Sequence, residues 1–158
     1  MAGTPLIGAV VVTHGQLATE LVNAAEMIVG DLPHFAAVSI GWHDDVDAAR
    51  EQVERAMERV RGEQGVILLT DMFGGTPSNL AMAFLAADDV EVVTGVNLPM
   101  LIKLASLHKA SDLAGVAREL WEAGRSAIWV AADLVRGEAA RETRETREPA
   151  RDPQEGRT

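Results

Sequence analysis

Cysteine and tyrosine are absent from the 158 residues, and aromatic side chains make up only 4% of them. Without cysteine the chain forms neither disulfides nor thiolate metal sites. No apolar run reaches the roughly 20 residues that a membrane-spanning helix requires, so we expect no direct membrane insertion. The first five residues carry no basic group ahead of the apolar segment that follows, which argues against a secretory signal. These absences favour a cytoplasmic protein.

Basic side chains are also scarce, since 14 lysines and arginines are set against 24 aspartates and glutamates. This balance repels nucleic acid and anionic lipid at long range, and no basic cluster offsets it. The sequence contains neither GxGxxG nor GxxxxGK(S/T), and it has no HExxH and no paired-carboxylate motif. We therefore expect no nucleic-acid partner, no metal and no cofactor.

The chain does contain a regular alternation of short apolar runs and amphipathic stretches. The apolar runs predict strands at residues 6–12, 35–40, 66–70 and 90–94. Helical spacing predicts helices at residues 16–29, 44–61, 77–87, 98–107 and 112–123. Such alternation is typical of an α/β fold, a mostly parallel sheet with helices on both faces. A fifth strand is predicted at residues 126–132 and, because two helices precede it, we expect it to be antiparallel or at an edge.

The alternation ends in a segment dominated by arginine and glutamate, which has no apolar face with which to pack. We therefore predict one domain at residues 1–136 and a charged, disordered tail at residues 137–158. An exposed apolar edge strand invites pairing with another chain, so the sequence also favours dimerisation.

Two predicted strands end in residues suited to nucleophilic chemistry, His14 and Asp71. The carboxyl ends of parallel strands lie on one edge of a sheet, where ligands bind, so both side chains are expected there. A neutral imidazole is a nucleophile when one ring nitrogen is free and the other is held by a carboxylate. A solitary histidine is more often only a polar residue at a strand end. The pair favours His14 as a nucleophile that Asp71 orients.

The five residues after Asp71 form a predicted turn into a helix, in which Thr76 is the expected N-cap and Pro77 the first helical residue. A glycine pair before a helix presents several backbone N–H groups to one point, a geometry that binds phosphate. An ordinary strand-to-helix loop is the alternative. Together with a histidine on the same edge, the turn is predicted to hold a phosphoryl group. The predicted phosphate-binding residues are Met72, Phe73, Gly74, Gly75 and Thr76.

The remaining polar candidates have simpler interpretations. His34 and His43 are expected at the surface, and His108 at the end of a helix, where a cation suits the helix dipole. Asn97 is interpreted as a helix cap with Pro99 in the first turn. Small residues beside His14 are expected to let a partner approach, and the three tryptophans are expected to serve packing or an interface. The small residues are Thr13 and Gly15, and the tryptophans are Trp42, Trp121 and Trp129.

Together, several motifs of this sequence resemble the IIA component of the mannose family of the bacterial sugar phosphotransferase system. The motifs are Val11-Val12-Thr13-His14-Gly15, Ala24–Gly30, Leu69–Asn79 and Thr94–Leu101, and the resemblance spans residues 6–135. It implies four parallel strands and one antiparallel C-terminal strand, and a homodimer in which that last strand is exchanged. The resemblance also implies a phosphotransferase whose histidine accepts a phosphoryl group from phospho-HPr and passes it to a IIB component. On this sequence that histidine is His14, its orienting aspartate is Asp71, and the phosphate-holding turn runs from Met72 to Thr76.

Other functions remain open at this point. No IIB domain follows in the sequence, so a free-standing regulatory IIA, whose phosphorylation state controls a partner protein, would use the same residues. A histidine-dependent phosphatase or mutase would typically have arginine before the histidine, where this chain has Thr13. The phosphocarrier that serves dihydroxyacetone kinase has a similar fold, but its relatives usually lack the Phe-Gly-Gly-Thr-Pro turn.

Overall fold

Four short apolar segments form the strands of one parallel sheet in the computed structural model, which describes residues 7–107 and 112–137. The strands are β1 (Gly8–His14), β2 (Phe35–Ile40), β3 (Val66–Thr70) and β4 (Val90–Thr94). The helices are α1 (Leu17–Val29), α2 (Val46–Val60), α3 (Thr76–Met82), α4 (Leu98–Ala105) and α5 (Leu113–Ser126). The predicted α/β class is confirmed, and β2, β3 and β4 have the predicted bounds.

The strand order is β2-β1-β3-β4, so the chain passes from β1 to β2 on one side and then crosses back to β3 on the other. In register, Val12 lies between Val38 of β2 and Thr70 of β3. Such a reversal of strand order opens a crevice at the carboxyl ends of the two central strands, where α/β sheets bind their ligands. The residues that follow β1 and β3 therefore meet at that crevice.

The two faces of the sheet carry separate apolar layers because side chains alternate along each strand. On one face, Ala9 and Val11 pack among residues of α1, α4 and α5. On the other face, Val10 and Val12 pack among residues of α2 and α3. The central strands are thus buried on both sides, which explains their continuous apolar sequence.

The caps of the helices follow the expected chemistry in most places. Asp45 caps α2, and Asn97 caps α4 by accepting a hydrogen bond from the Met100 N–H at 3.2 Å. The side-chain amide of Asn97 also donates to the Gly124 carbonyl at 3.0 Å. Gly124 is therefore an internal residue of α5, whereas the helix predicted at residues 112–123 ended just before it. A Cβ added there would stand 2.6 Å from the Met100 side chain, so a larger residue would require Met100 to move.

The prediction of a fifth, antiparallel strand at residues 126–132 is wrong. Ser126 ends α5, residues 128–130 have no regular structure, and residues 131–137 are helical. A strand exists only where its backbone pairs with a neighbour, and a short apolar run does not by itself distinguish strand from helix. Residues 128–137 belong to a compact unit separate from residues 1–127.

Smaller differences concern helix ends and parts of the chain that lie outside the described residues. The helix predicted at residues 77–87 ends at Met82, and Gly75 takes the N-cap position that Thr76 was expected to fill. The predictions for Leu6, His108 and the charged tail beyond Gly137 lie outside the described residues. The domain boundary at residue 136 stays a prediction.

Candidate active site

His14 and Asp71 meet at the carboxyl edge of the sheet, between the two central strands. His14 is the last residue of β1, and Asp71 directly follows β3. The ring Nδ1 of His14 lies 2.7 Å from Oδ2 of Asp71. An ionised carboxylate only accepts hydrogen bonds, so Nδ1 carries the proton and Nε2 of the neutral ring has the free lone pair. The structure thus brings the two predicted residues into the orientation that a nucleophilic histidine needs.

The carboxylate of Asp71 has three N–H donors around it. Oδ2 accepts the His14 backbone N–H at 3.0 Å as well as the ring N–H, and Oδ1 accepts the Met72 N–H at 3.0 Å. Partial burial of the side chain, which is 12% exposed, raises the pKa of Asp71. The hydrogen bonds from His14, the attraction to its ring when that ring is protonated, and the Met72 N–H lower the pKa by a larger amount. The net effect is an Asp71 pKa below its ordinary value. The carboxylate is therefore ionised at neutral pH.

Gly75 lies against the free nitrogen of His14. A Cβ added at Gly75 would stand 3.2 Å from Nε2 and 3.3 Å from Cε1, a tighter contact than side chains normally make. Gly75 has φ 87° and ψ 175°, and the preceding Gly74 also has φ 87°. Backbone of this kind is open to glycine and strained for other residues. The glycine pair thus lets the turn come close to Nε2.

The backbone N–H groups of the turn are not all available to a ligand. Met72 donates to Asp71, and Gly74 donates to the hydroxyl of Ser78 at 3.2 Å. Within the part of the chain that the structure describes, the N–H groups of Phe73, Gly75 and Thr76 have no acceptor. The phosphate cradle predicted over residues 72–76 therefore has three free donors rather than five.

Two buried hydroxyls lie beside the site, and the sequence predicted the role of neither. Ser78 is fully buried in α3 and accepts the Gly74 N–H. Thr13 is fully buried as well, and its hydroxyl accepts the Ala18 N–H of α1 at 2.7 Å. The expectation that Thr13 would leave space for a partner is therefore wrong, whereas Gly15 is exposed. No local pattern identifies either role, because each depends on a backbone group four or five residues away.

The surroundings of His14 are open and apolar. The His14 side chain is 52% exposed. Leu17 at the start of α1 and Met72 and Phe73 in the turn are exposed by 47%, 56% and 72%. Large exposed apolar side chains beside a polar centre are typical of a surface that contacts another protein.

The other candidate residues lie apart from this centre. His43 is exposed as predicted, but His34 is half-buried with its ring 4.7 Å from that of Phe35, and burial lowers its pKa. All three tryptophans are more than half exposed, which disfavours packing and leaves the interface interpretation open. In residues 7–107 and 112–137, no three histidine, aspartate or glutamate side chains gather closely enough to hold a metal ion. No helix in those same ranges is both long and apolar enough to cross a membrane.

Comparison with known proteins identifies the family of this fold. The profile of the EIIA-man family, described as "PTS system fructose IIA component", matches residues 8–120. The "PTS system fructose-specific EIIA component" of Bacillus subtilis is 31% identical over 105 residues, which cover 66% of this chain and 72% of that protein. The "PTS system mannose-specific EIIAB component" of Escherichia coli K12 is 33% identical over 98 residues, 61% of this chain and only 30% of that longer protein.

A solved structure shares the architecture over most of the chain. The PTS IIA protein associated with the fucose utilization operon of Streptococcus pneumoniae superposes with a TM-score of 0.74 at 25% sequence identity. The alignment covers 84% of this chain and 98% of that structure. The chain therefore belongs to the mannose-type family of IIA components of the sugar phosphotransferase system.

Proposed function

We propose that this chain is a phosphohistidine carrier of sugar uptake, working in the cytoplasm. His14 accepts a phosphoryl group from phospho-HPr and passes it to a IIB component. The observation that carries the proposal is the 2.7 Å contact between Nδ1 of His14 and Asp71, which leaves Nε2 free and directed at the glycine turn. Family membership supports the same chemistry, since IIA components belong to a phosphotransferase system.

In the proposed reaction, the lone pair of Nε2 attacks phosphorus while the bond between phosphorus and the donor nitrogen of phospho-HPr breaks. The ring keeps its proton on Nδ1, so the phosphorylated imidazole carries a positive charge next to the ionised Asp71. This ion pair stabilises the intermediate without any proton leaving the site. Transfer to the IIB component reverses the same steps, with no metal or cofactor taking part.

The phosphoryl oxygens are proposed to bind to the turn. The free N–H groups of Phe73, Gly75 and Thr76 supply donors, and their dipoles are fixed before the group arrives. Fixed donors stabilise the charge of a transferring phosphoryl group without reorganisation. The Ser78 hydroxyl accepts the Gly74 N–H, so this N–H is not a donor to the ligand and helps to fix the conformation of the turn.

The donor and acceptor are proposed to be proteins that cover the apolar surroundings of His14. Leu17, Met72 and Phe73 are the exposed side chains that such a partner would bury. Covering them excludes water from the phosphorylated ring, which slows hydrolysis during transfer.

We also propose that the chain forms a homodimer in which a C-terminal segment of one copy pairs with the sheet of the other. Among the described strands, none pairs with the outer edge of β4, so its backbone groups on that side are available to a second chain. Ile128, Trp129 and Val130 are exposed by 76%, 65% and 65%, and an apolar segment of this kind favours burial.

The experiment that tests the carrier is phosphorylation with phosphoenolpyruvate, enzyme I and HPr. The chain should gain one acid-labile, base-stable phosphate, and His14→Ala should gain none. Labelling that persists in His14→Ala would remove His14 from its role. Adding a purified IIB component then separates uptake from regulation, because a carrier loses its phosphate to IIB, whereas a purely regulatory IIA keeps it.

A further inference from the structure

A buried hydroxyl directly before the candidate nucleophile connects it to the first helix. Thr13 points to the sheet face that α1 covers, because it shares that face with Ala9 and Val11. His14, one residue on, points to the opposite face, from which the turn before α3 approaches. Thr13 has no exposed surface, so it takes no part in contacts with a partner.

The Thr13 hydroxyl makes two hydrogen bonds that join these elements. It accepts the Ala18 N–H of α1 at 2.7 Å and donates to the His14 carbonyl at 3.2 Å. The N-cap residue of α1, Gln16, gives that helix no side-chain cap. Thr13 therefore supplies the acceptor that an N-cap side chain normally provides, from three residues before the usual position.

Both ends of His14 are consequently fixed. Its backbone and ring N–H groups are bound by Asp71, and its carbonyl is bound by Thr13. Directly after it, Gly15 has φ 55° and donates its N–H to the Ile40 carbonyl at 2.9 Å. The chain turns sharply here, and the Thr13 hydroxyl holds together the strand end, the turn and the helix start.

We propose that Thr13 is a positioning residue for phosphoryl transfer, which holds the His14 backbone so that Nε2 stays aligned with the glycine turn. The proposal rests on the proposed carrier function for its kinetic effect. The alignment matters because the turn is close to Nε2: a Cβ added at Gly75 would stand only 3.2 Å from that atom. Loss of the hydroxyl would leave the Ala18 N–H buried without an acceptor, which favours movement of the first turn of α1 and of the His14 carbonyl.

The test compares Thr13→Val, which removes the hydroxyl but keeps the side-chain shape, with Thr13→Ser, the matched control that keeps it. We expect Thr13→Val to lower the maximal rate of phosphoryl acceptance by about tenfold with little change in the KM for phospho-HPr, and Thr13→Ser to stay within about twofold of wild type. Equal rates in all three proteins, or equal losses in both variants, would overturn the proposal.

A second measurement needs no phosphoryl donor. In ¹⁵N-labelled protein, the proton on Nδ1 of His14 should give an observable signal in wild type and Thr13→Ser, and a weakened one in Thr13→Val. This signal separates the two hypotheses: a wild type that accepts no phosphate contradicts the carrier function, while an unchanged signal in Thr13→Val contradicts the role of Thr13.

If Thr13→Val does not fold, Thr13→Ala is measured in its place, since it removes the same hydroxyl without adding a methyl group. In the wild type itself, the Ala18 amide should exchange with solvent as slowly as amides inside α1, since it has a buried acceptor. Rapid exchange of that amide would show that the hydrogen bond is not formed and would overturn the proposal.

Discussion

The carboxyl edge of the sheet and the C-terminal segment differ in whether their side chains are contacted by residues of the same chain. At the carboxyl edge, each polar group of His14 except Nε2 is bound by a residue of the same chain. In residues 128–137 every side chain is exposed, including Ile128 and Trp129. In the first region the polar groups are paired within a single chain, and only the ring nitrogen Nε2 is left free. The second carries apolar surface that only another chain, under the dimer proposal, would bury.

Of all the substitutions, we expect one at Asp71 to lower the rate of phosphoryl transfer most. Asp71→Asn keeps a similar shape and an acceptor oxygen but loses the charge that stabilises the phosphorylated ring. We expect the rate of transfer to fall by about a hundredfold or more, as in hydrolase triads whose aspartate is neutralised. Stopped-flow or quench measurements with phospho-HPr provide the rate, and circular dichroism checks the fold. An unchanged rate in a folded variant would remove Asp71 from its role.

A side chain at Gly75 is expected to have the next largest effect. Gly75→Ala places a Cβ 3.2 Å from Nε2 in a backbone conformation that alanine rarely adopts. We expect transfer to slow by about ten- to a hundredfold, because the phosphoryl group and the turn no longer fit together.

Gly95→Ala is the matched control for backbone strain. Gly95 has the same φ of 87°, but a Cβ there meets no atom within 4 Å. Both variants should lose stability in a denaturant titration, whereas only Gly75→Ala should lose most of its transfer rate. Equal transfer rates in the two variants would show that closeness to Nε2 does not matter.

In the C-terminal segment, Trp129→Ser should weaken dimerisation while leaving the carboxyl edge intact. We expect the dissociation constant of the dimer to rise by about tenfold or more, because large aromatic residues dominate interface energies. Sedimentation equilibrium measures the constant. Trp42→Ser is the control, since Trp42 is fully exposed and lies outside the segment. A wild-type chain that is monomeric at all concentrations would contradict the dimer proposal.

Phe73→Ala should have a smaller effect, which falls on the binding of the partner and not on the chemistry of the site. The Phe73 side chain is 72% exposed and contributes apolar surface beside His14. We expect the KM for phospho-HPr to rise by about fivefold at nearly constant kcat, which indicates loss of binding rather than of transition-state stabilisation. A fall in kcat with constant KM would instead assign Phe73 to the turn geometry.

The smallest expected effect is on stability as a function of pH. The Asp71 pKa in the folded state is lowered, so the fold favours the ionised carboxylate. Its contribution to the free energy of unfolding is therefore present above the ordinary aspartate pKa of about 3.9 and disappears as the pH falls through the lower folded-state value. Denaturant titrations from about pH 7 to pH 3 should show the difference between wild type and Asp71→Asn shrinking only in the most acidic samples. A constant difference would contradict this origin.

The sequence predicts the parts of the fold that depend on local patterns. Strands β2, β3 and β4 have the expected bounds because continuous apolar runs are buried on both faces. It also predicts that His14 and Asp71 lie on one edge, and the structure brings them into contact. Their roles in transfer stay predictions. That β1 and β3 are adjacent depends on the strand order, which no local pattern reveals.

The errors come from contacts that the local sequence pattern does not show. The helix predicted at residues 112–123 continues to Ser126, and Gly124 lies inside it with its carbonyl bound by Asn97 and its Cα side close to Met100. The apolar run at residues 126–132 looked like a strand, although a strand depends on a pairing partner rather than on sequence alone. Thr13 was predicted to be an accessible small residue. Its hydroxyl is instead a buried acceptor, because the turn at Gly15 brings the Ala18 N–H back to it.

The most direct test of the central claim is the position of the phosphate on the ring. If Asp71 holds Nδ1 with its proton, the phosphoryl group has only Nε2 available. In ¹⁵N and ³¹P NMR spectra of the phosphorylated, histidine-labelled chain, we expect phosphorus coupled to Nε2 of His14, with the proton still on Nδ1. Phosphate on Nδ1, or on any other residue, would contradict the account.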